Sequence, residues 1–380
     1  MTAMSISFFN MKKTPLLSLI WMPVYEKISI SIGLKYNGFM KEANLLLIGF
    51  GNVGREFVRL VEDKRELLGE NYGLKPVWLT IFRRQTRWDI PQDIDILSML
   101  TKDPCSLFHP LQTKSVKDDL KLFFQTAFPG VLVDCSVSDP RTGKPGYDIW
   151  KSALEAGWHV VTASKGPLVY DFKGLHAEAQ KNNCLIRISG AAAAALPTVD
   201  LARHALAGTE IRRIEGILNG ASNFILTRMS EGGSYADAVK EAQAKGIAEP
   251  DPSMDVKGWD TAFKILLITN AVFGTAYCLE DVAVKGIDTI TPEELKEALK
   301  NGHRIKLLGR YEKADKGGTL EAAPKALDPS HLLYSVTGSE KGISFETDTM
   351  GTITVIGGRS SPVGAAAALL KDLINIYHST

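Results

Sequence analysis

The chain lacks most of what would place it outside ordinary globular proteins. Its four cysteines, Cys105, Cys135, Cys184 and Cys278, are scattered without CxxC spacing. That excludes a zinc ribbon or disulfide framework and fits a reducing, cytoplasmic compartment. No apolar run reaches the roughly 20 residues a membrane helix needs. Lys and Arg total 44 against 43 Asp and Glu, a net charge of +1, so no field argues for nucleic acid or an anionic membrane as partner. HExxH, GxSxG and the P-loop GxxxxGK[ST] are absent, and the seven histidines show no ligand spacing. Zincin, serine-hydrolase and P-loop chemistry are thereby set aside. What is present is 380 residues with 45% hydrophobic content, enough for two domains with ample cores.

Residues 1–43 read as an N-terminal extension. They contain Met1, Met4, Met11, Met22 and Met40, and the apolar piece PLLSLIWMPV after Lys12 and Lys13, with no small-residue cleavage site. Translation beginning at Met40 places the first strand within a few residues of the terminus.

That strand, Asn44–Phe50, runs into Gly49-Phe50-Gly51-Asn52-Val53-Gly54 and then the helical REFVRLVEDKRELLG. GxGxxG between a strand and a helix is a dinucleotide fingerprint: the glycines permit a tight turn, close approach to a pyrophosphate and close helix–strand packing. The next strand, Pro76–Phe82, ends in Arg83-Arg84, not in the acidic residue that bonds a ribose 2′-hydroxyl. Guanidinium groups suit a 2′-phosphate, so NADP(H) is preferred, with NAD(H) the other cofactor such a fold accepts. Strands at Gly130–Cys135, Trp158–Ala163 and Leu185–Ile188 alternate with helices at Tyr147–Gly157 and Phe172–Asn182, as in a parallel sheet. Ser136, Ser138, Ser164 and Lys165 fall at the carboxyl ends of strands, where such sheets bind ligands.

Ile188–Pro197 (ISGAAAAALP) is small enough for very close backbone approach. Thr198–Leu206 reads as a helix, Glu210–Leu218 as a strand of a second domain, and Asn219-Gly220 as a turn or bulge. Helices follow at Phe224–Glu231 and Tyr235–Ala244. Then comes AEPDPSMDVKGWD, an acidic irregular loop, before a helix that is apolar nearly all round. Asp260 and Lys264 lie one turn apart on that helix; an ionisable pair on a buried helix signals function. Strands at Ile305–Glu312, Glu321–Ala326, Leu333–Thr337, Ser344–Thr347 and Gly351–Gly357 make a mostly antiparallel sheet facing another subunit. A last helix, Val363–Tyr377, returns after a glycine turn toward the nucleotide site. The domains are 44–190, completed by 358–380, for the dinucleotide, and 191–357 for substrate and dimerisation.

From residue 43 onward, about nine-tenths of the chain, the motifs resemble homoserine dehydrogenase. GFGNVG, VDCSVS and VTASKGPL resemble its nucleotide-side segments, and GILNGASNFIL its GxxNGTxNYI-like segment. AEPDPSMDVKGWDTAFK resembles its most specific signature, (E)PDPxxDxxGxDxxxK. The resemblance implies a Rossmann-type domain plus an α+β substrate and dimerisation domain. It also implies interconversion of L-aspartate 4-semialdehyde and L-homoserine with NAD(P)H, on the route to threonine, methionine and isoleucine, by a cytoplasmic homodimer. By position, Lys264 matches the family's proton donor and acceptor, Asp260 the aspartate before it, and Lys165 a lysine shared between cofactor and reacting centre. Glu249 matches the ligand of the substrate's amino group, with Asp255 supporting and Asn219 and Gly220 in the same pocket. Phe50, Gly51, Asn52, Val53, Gly54, Arg83, Arg84, Ser136 and Lys165 fall to the cofactor. The family's sodium ion, bound by carbonyls, maps onto Ser189, Ala192, Ala194 and Leu196. The chain departs there, since Ser189 stands where a glutamate is expected. No aspartate kinase or ACT-type segment is recognised, so threonine feedback through one is not expected. Two alternatives stay open: another NADP-dependent amino-acid or semialdehyde oxidoreductase, for which Cys135 is the one thiol near the sheet top, and a non-catalytic NADP-binding sensor.

Overall fold

The computed structural model describes residues 39–92, 94–102, 111–112, 115–315 and 317–378. Readings that fall on residues 1–38 and on Cys105 lie outside them.

The first sheet has the order β4-β3-β2-β1-β5-β6-β7, with β1 Lys41–Ile48, β2 Leu74–Arg83, β3 Thr86–Asp89, β4 Leu111–Gln112, β5 Val131–Asp134, β6 His159–Thr162 and β7 Ile186–Arg187. β1, β2, β5, β6 and β7 are parallel. Their sequences explain this. Leu45, Leu46, Leu47, Val131, Leu132 and Val133 are all fully buried, and runs apolar on both faces belong in a sheet covered on both sides. The helix Asn52–Asp63 and the C-terminal helix Pro362–His378 cover one face, burying Val58, Leu369 and Leu373 with Leu45 and Leu47. The helices Gly146–Glu155 and Gly166–Lys181 cover the other, with Trp150 and Leu175 against Leu46 and Leu132. β1 is followed on one side by β2 and on the other by β5, so the strand order reverses between β1 and β5. Register aligns Ile48 with Phe82 and Asp134, and Asp134 with Thr162. The segments after these residues therefore share one rim.

The second sheet has the order β13-β12-β8-β10-β11-β9, with β8 Ile211–Ile217, β9 Val282–Val284, β10 Arg304–Lys313, β11 Gly318–Leu327, β12 Lys341–Thr347 and β13 Thr352–Gly357. It is antiparallel except for β9 beside β11. One face is charged, with Arg213 bridging Glu312 and Glu346, and Arg310 bridging Glu215. The other carries Ile214, Tyr311 and Phe345 side by side, as the period of two requires. On that face lies the helix Trp259–Phe273. A Cβ on Gly309 would come within 3.1 Å of Ile265, so the helix rests directly on the sheet. Its other side meets the helix Gly166–Lys181 and the turn Ser189–Ala192. Leu266, Leu267 and Ile268 are buried because the helix joins both sheets. No helix among the described residues is long and apolar enough to cross a membrane.

Several local expectations change. Leu333–Thr337 is a succession of turns, with Tyr334 N–H on His331 O and Val336 N–H on Leu333 O. Leu333 and Val336 are buried three residues apart against Ile217 and Leu308, a turn spacing, and the sheet edge is taken by β9. Thr198–Leu206 contains a single π-helical turn, Leu201–Ala205. Asn219-Gly220 is a helix start: Asn219 accepts Ser222 N–H and caps the helix Gly220–Ser230. The acidic loop contains one helical turn, Ser253–Val256. β2 turns back into the unexpected β3 through Arg84-Gln85.

Candidate active site

The turn after β1 is built for close approach. Gly49 has φ +92°, and a Cβ there would lie 2.4 Å from the Cys135 carbonyl carbon; a Cβ on Gly54 would lie 2.1 Å from Gly49 O. Gly51 has nothing within 4 Å of its Cβ position. The turn is thus closed toward the sheet and open toward the crevice, above the free N–H groups of the helix that starts at Asn52. This is the shape and polarity a pyrophosphate needs. Ser136 follows β5, its N–H on Asp134 Oδ1, beside Gly49. Phe50 is buried against Trp88 and beneath the Arg55 guanidinium, so it offers the crevice only backbone. Asn52 is exposed and Val53 half-buried. Arg83 and Arg84 are exposed at the end of β2. Among the described residues neither side chain has a hydrogen bond or ion pair. Arg84 sits at φ +54° as the first residue of the two-residue turn between β2 and β3, where hairpins favour positive φ.

A pair of substitutions separates fit from fold. Gly51→Ala is expected to keep its melting temperature but to bind NADPH tenfold or more weakly, about 1.4 kcal/mol, because the new methyl stands in the approach. Gly54→Ala forces its methyl into Gly49 O and is expected to lose about 1–3 kcal/mol of stability. Fluorescence titration and thermal melts read the two effects. Unaltered NADPH binding by Gly51→Ala would contradict the assignment.

Across the rim lies a cavity of about 420 Å³, lined among others by Lys165, Asn219, Glu249, Asp255, Asp260, Phe263, Lys264 and Ser360. Lys165 comes from the loop after β6, and Asp260 and Lys264 from the helix on the second sheet. Asp260 holds both cations: Oδ2 lies 2.6 Å from Lys264 Nζ and Oδ1 3.3 Å from Lys165 Nζ. Burial alone would push this carboxyl up, but the two ammonium groups outweigh it and hold Asp260 below the usual carboxylate range. Lys264 also donates to Leu218 O at 3.0 Å. With two of its three N–H groups placed, the third is available to the cavity. Asp255 moves the other way: burial, with the charge of Asp260 adding, raises its carboxyl above the ordinary value.

Asn219 ties the carboxylates together. Its amide nitrogen donates to Asp255 Oδ1 at 2.6 Å and Asp260 Oδ2 at 2.7 Å, while its oxygen caps the helix. Both amide hydrogens are therefore committed to fixing the acids, and Asn219 acts here as a positioning residue. Gly220 is packed against Ser339 O and the Ser360 hydroxyl. Glu249 is exposed at the cavity mouth. Ser360, from the segment before the C-terminal helix, was not singled out in the sequence; its only signal is the glycine turn preceding it.

The carbonyl run behaves differently from its sequence assignment. Ser189 O already accepts Ala193 N–H and Ala194 N–H. Ser189 Oγ donates to Asp372 and accepts from Lys371, and a further buried ammonium, that of Lys341, donates to Ala193 O at 2.7 Å. With Ser189 O already used and the Lys341 ammonium on the neighbouring Ala193 O, the run does not fit a sodium ion at Ser189, Ala192, Ala194 and Leu196. Cys135 is likewise unsuited to a nucleophile: burial, with the Asp134 charge adding, raises its thiol well above the ordinary value.

Comparison with known proteins agrees with this geometry. Residues 197–374 match the homoserine dehydrogenase family model. A homoserine dehydrogenase of Methanocaldococcus jannaschii is 36% identical over 341 residues, 89% of this chain and 99% of that protein. An NAD(+)-dependent homoserine dehydrogenase of Pseudomonas canavaninivorans is 31% identical over 90% of this chain and 97% of its own length. The crystal structure of a homoserine dehydrogenase from Thiobacillus denitrificans superposes with a TM-score of 0.76 at 26% identity, covering 90% of this chain and 75% of that one. The chain belongs to the homoserine dehydrogenase family.

Proposed function

We propose that this chain interconverts L-aspartate 4-semialdehyde and L-homoserine with Lys264 as the proton donor and acceptor. The observation that carries the assignment is the Lys165–Asp260–Lys264 group, assembled from both sides of a cleft that has a dinucleotide turn on its rim. The turn Gly49–Gly54, Ser136 and Lys165 would hold a nicotinamide cofactor, which supplies or takes up the hydride. Reduction of the aldehyde leaves negative charge on its oxygen. The Lys264 ammonium, fixed by Asp260 and Leu218 O, stabilises that charge and delivers the proton. In the oxidising direction neutral Lys264 takes the alcohol proton, and the positive charge it gains is met by Asp260. Glu249 and Asp255 face the substrate's ammonium. The N-terminal end of the helix Gly220–Ser230, at the cavity wall, suits its carboxylate.

Consumption of NADPH by the purified chain with aspartate semialdehyde tests this. Absence of turnover would leave the sensor reading standing. We further propose NADP(H) as the preferred cofactor, on the strength of the unpartnered Arg83 and Arg84. Replacing both by alanine is expected to lower kcat/KM with NADPH by about tenfold or more while leaving NADH nearly unaffected, since each lost charged hydrogen bond is worth about 1.5–3 kcal/mol. An unmoved NADPH-to-NADH ratio would reject the preference. The homodimer, through the charged face of the second sheet, belongs to the same proposal.

A further inference from the structure

Lys341, the first residue of β12, is 1% exposed. A lysine buried this far normally has a carboxylate against it, because its charge is otherwise stripped of solvent. Among the described residues Lys341 makes no ion pair, and its hydrogen bond goes to Ala193 O, 148 positions away in the chain. Ala193 belongs to the small-residue connector that leads from the first sheet into the second. Further contacts lock the connector in place: a Cβ on Gly358 would fall 2.7 Å from Leu196 N, and Ala194 is held at φ +55°. The connector is thus a strained turn into which an ammonium from the second sheet already reaches.

We infer that the Lys341 ammonium is the resident cation of the connector, held on Ala193 O in place of a metal ion and pinning the second sheet to the first. Burial, with the charge of Lys264 adding, lowers the Lys341 ammonium to about 7, while the Asp260 charge opposes that shift. A chain so built needs no alkali metal. The primary readout of the inference is stability, not turnover.

The test uses the full chain. Thermal melts in sodium, potassium and choline chloride at equal ionic strength are expected to coincide, and sodium NMR line widths to be unaltered by the protein. A saturable rise of melting temperature in sodium or potassium alone would overturn the inference. Lys341→Ala is expected to melt lower and to recover part of the loss with methylammonium, while tetramethylammonium, too large for the space, gives none. A Lys341→Ala variant as stable as the parent, or one that methylammonium does not stabilise, would overturn it too. Should the variant fail to fold, the comparison of cations on the intact chain still decides.

Discussion

Lys264→Met is expected to reduce aspartate semialdehyde about 10³-fold more slowly than the intact chain while still binding NADPH. The size follows from the chemistry. A positioned acid or base contributes about 10²–10⁴ in rate, and a donor aimed at a developing oxyanion about 10²–10³. One group performing both tasks falls in the overlap, since the same ammonium cannot be counted twice. Methionine keeps the stem that packs on the helix, so the loss isolates the charged end. Lys264 meets Asp260 and Leu218 O, so any change in NADPH affinity comes only indirectly, through the pairing of Asp260 with Lys165. A variant within threefold of the parent in kcat would remove Lys264 from the proton transfer.

The second large effect is expected at Asp260, and it appears in stability as well as rate. Asp260→Asn leaves Lys165 and Lys264 facing each other across a neutral amide. Removing one partner from a buried ion pair costs about 3–5 kcal/mol. The partial solvation of Lys165, whose side chain is 32% exposed, places this case near the lower end. The pH dependence has a definite sign. Asp260 is held below its unfolded value, so its contribution is complete above the ordinary aspartate value of about 3.9 and is lost as pH falls further toward the folded value. The gap in stability between parent and variant should therefore be constant from neutrality to about pH 4 and close only below it. Turnover should fall by about 10² or more, because Lys264 loses the group that orients it. A stability gap that closes between pH 8 and pH 6 would mean that some other group holds the lysines together.

The parts of this molecule that could be read from its sequence are those whose signal is local. The fully apolar run Leu45–Ile48 announces a covered parallel strand, and Gly49–Gly54 names its own turn. The pattern around Leu266 shows a helix with no solvent face, so Asp260 and Lys264 had to be exceptions with a purpose. Other features depend on partners remote in the chain. Lys341 follows Ser339-Glu340 and precedes glycine, a context that reads as loop, and its hydrogen-bond partner Ala193 is remote in the chain. Val282–Val284 is too short to signal a strand until β11 lies beside it. Asn219-Gly220 carries a turn signature, and the same asparagine serves equally as a helix cap, a choice settled by the acids its amide reaches. Leu333 and Val336 promised a strand by residue type, although their spacing of three is that of a turn.

The ion pair between Lys165 and Asp260 joins two halves of a cleft that bind different things, and this has a thermodynamic consequence. Any ligand on the nucleotide side that draws Lys165 toward itself takes charge away from Asp260, so Asp260 must lean more on Lys264. By reciprocity, whatever occupies Lys264 on the substrate side alters how readily Lys165 is released to the nucleotide side, by the same coupling free energy. The two ligands therefore share one carboxylate as a common currency, and the affinity of each should be measured in the presence and absence of the other.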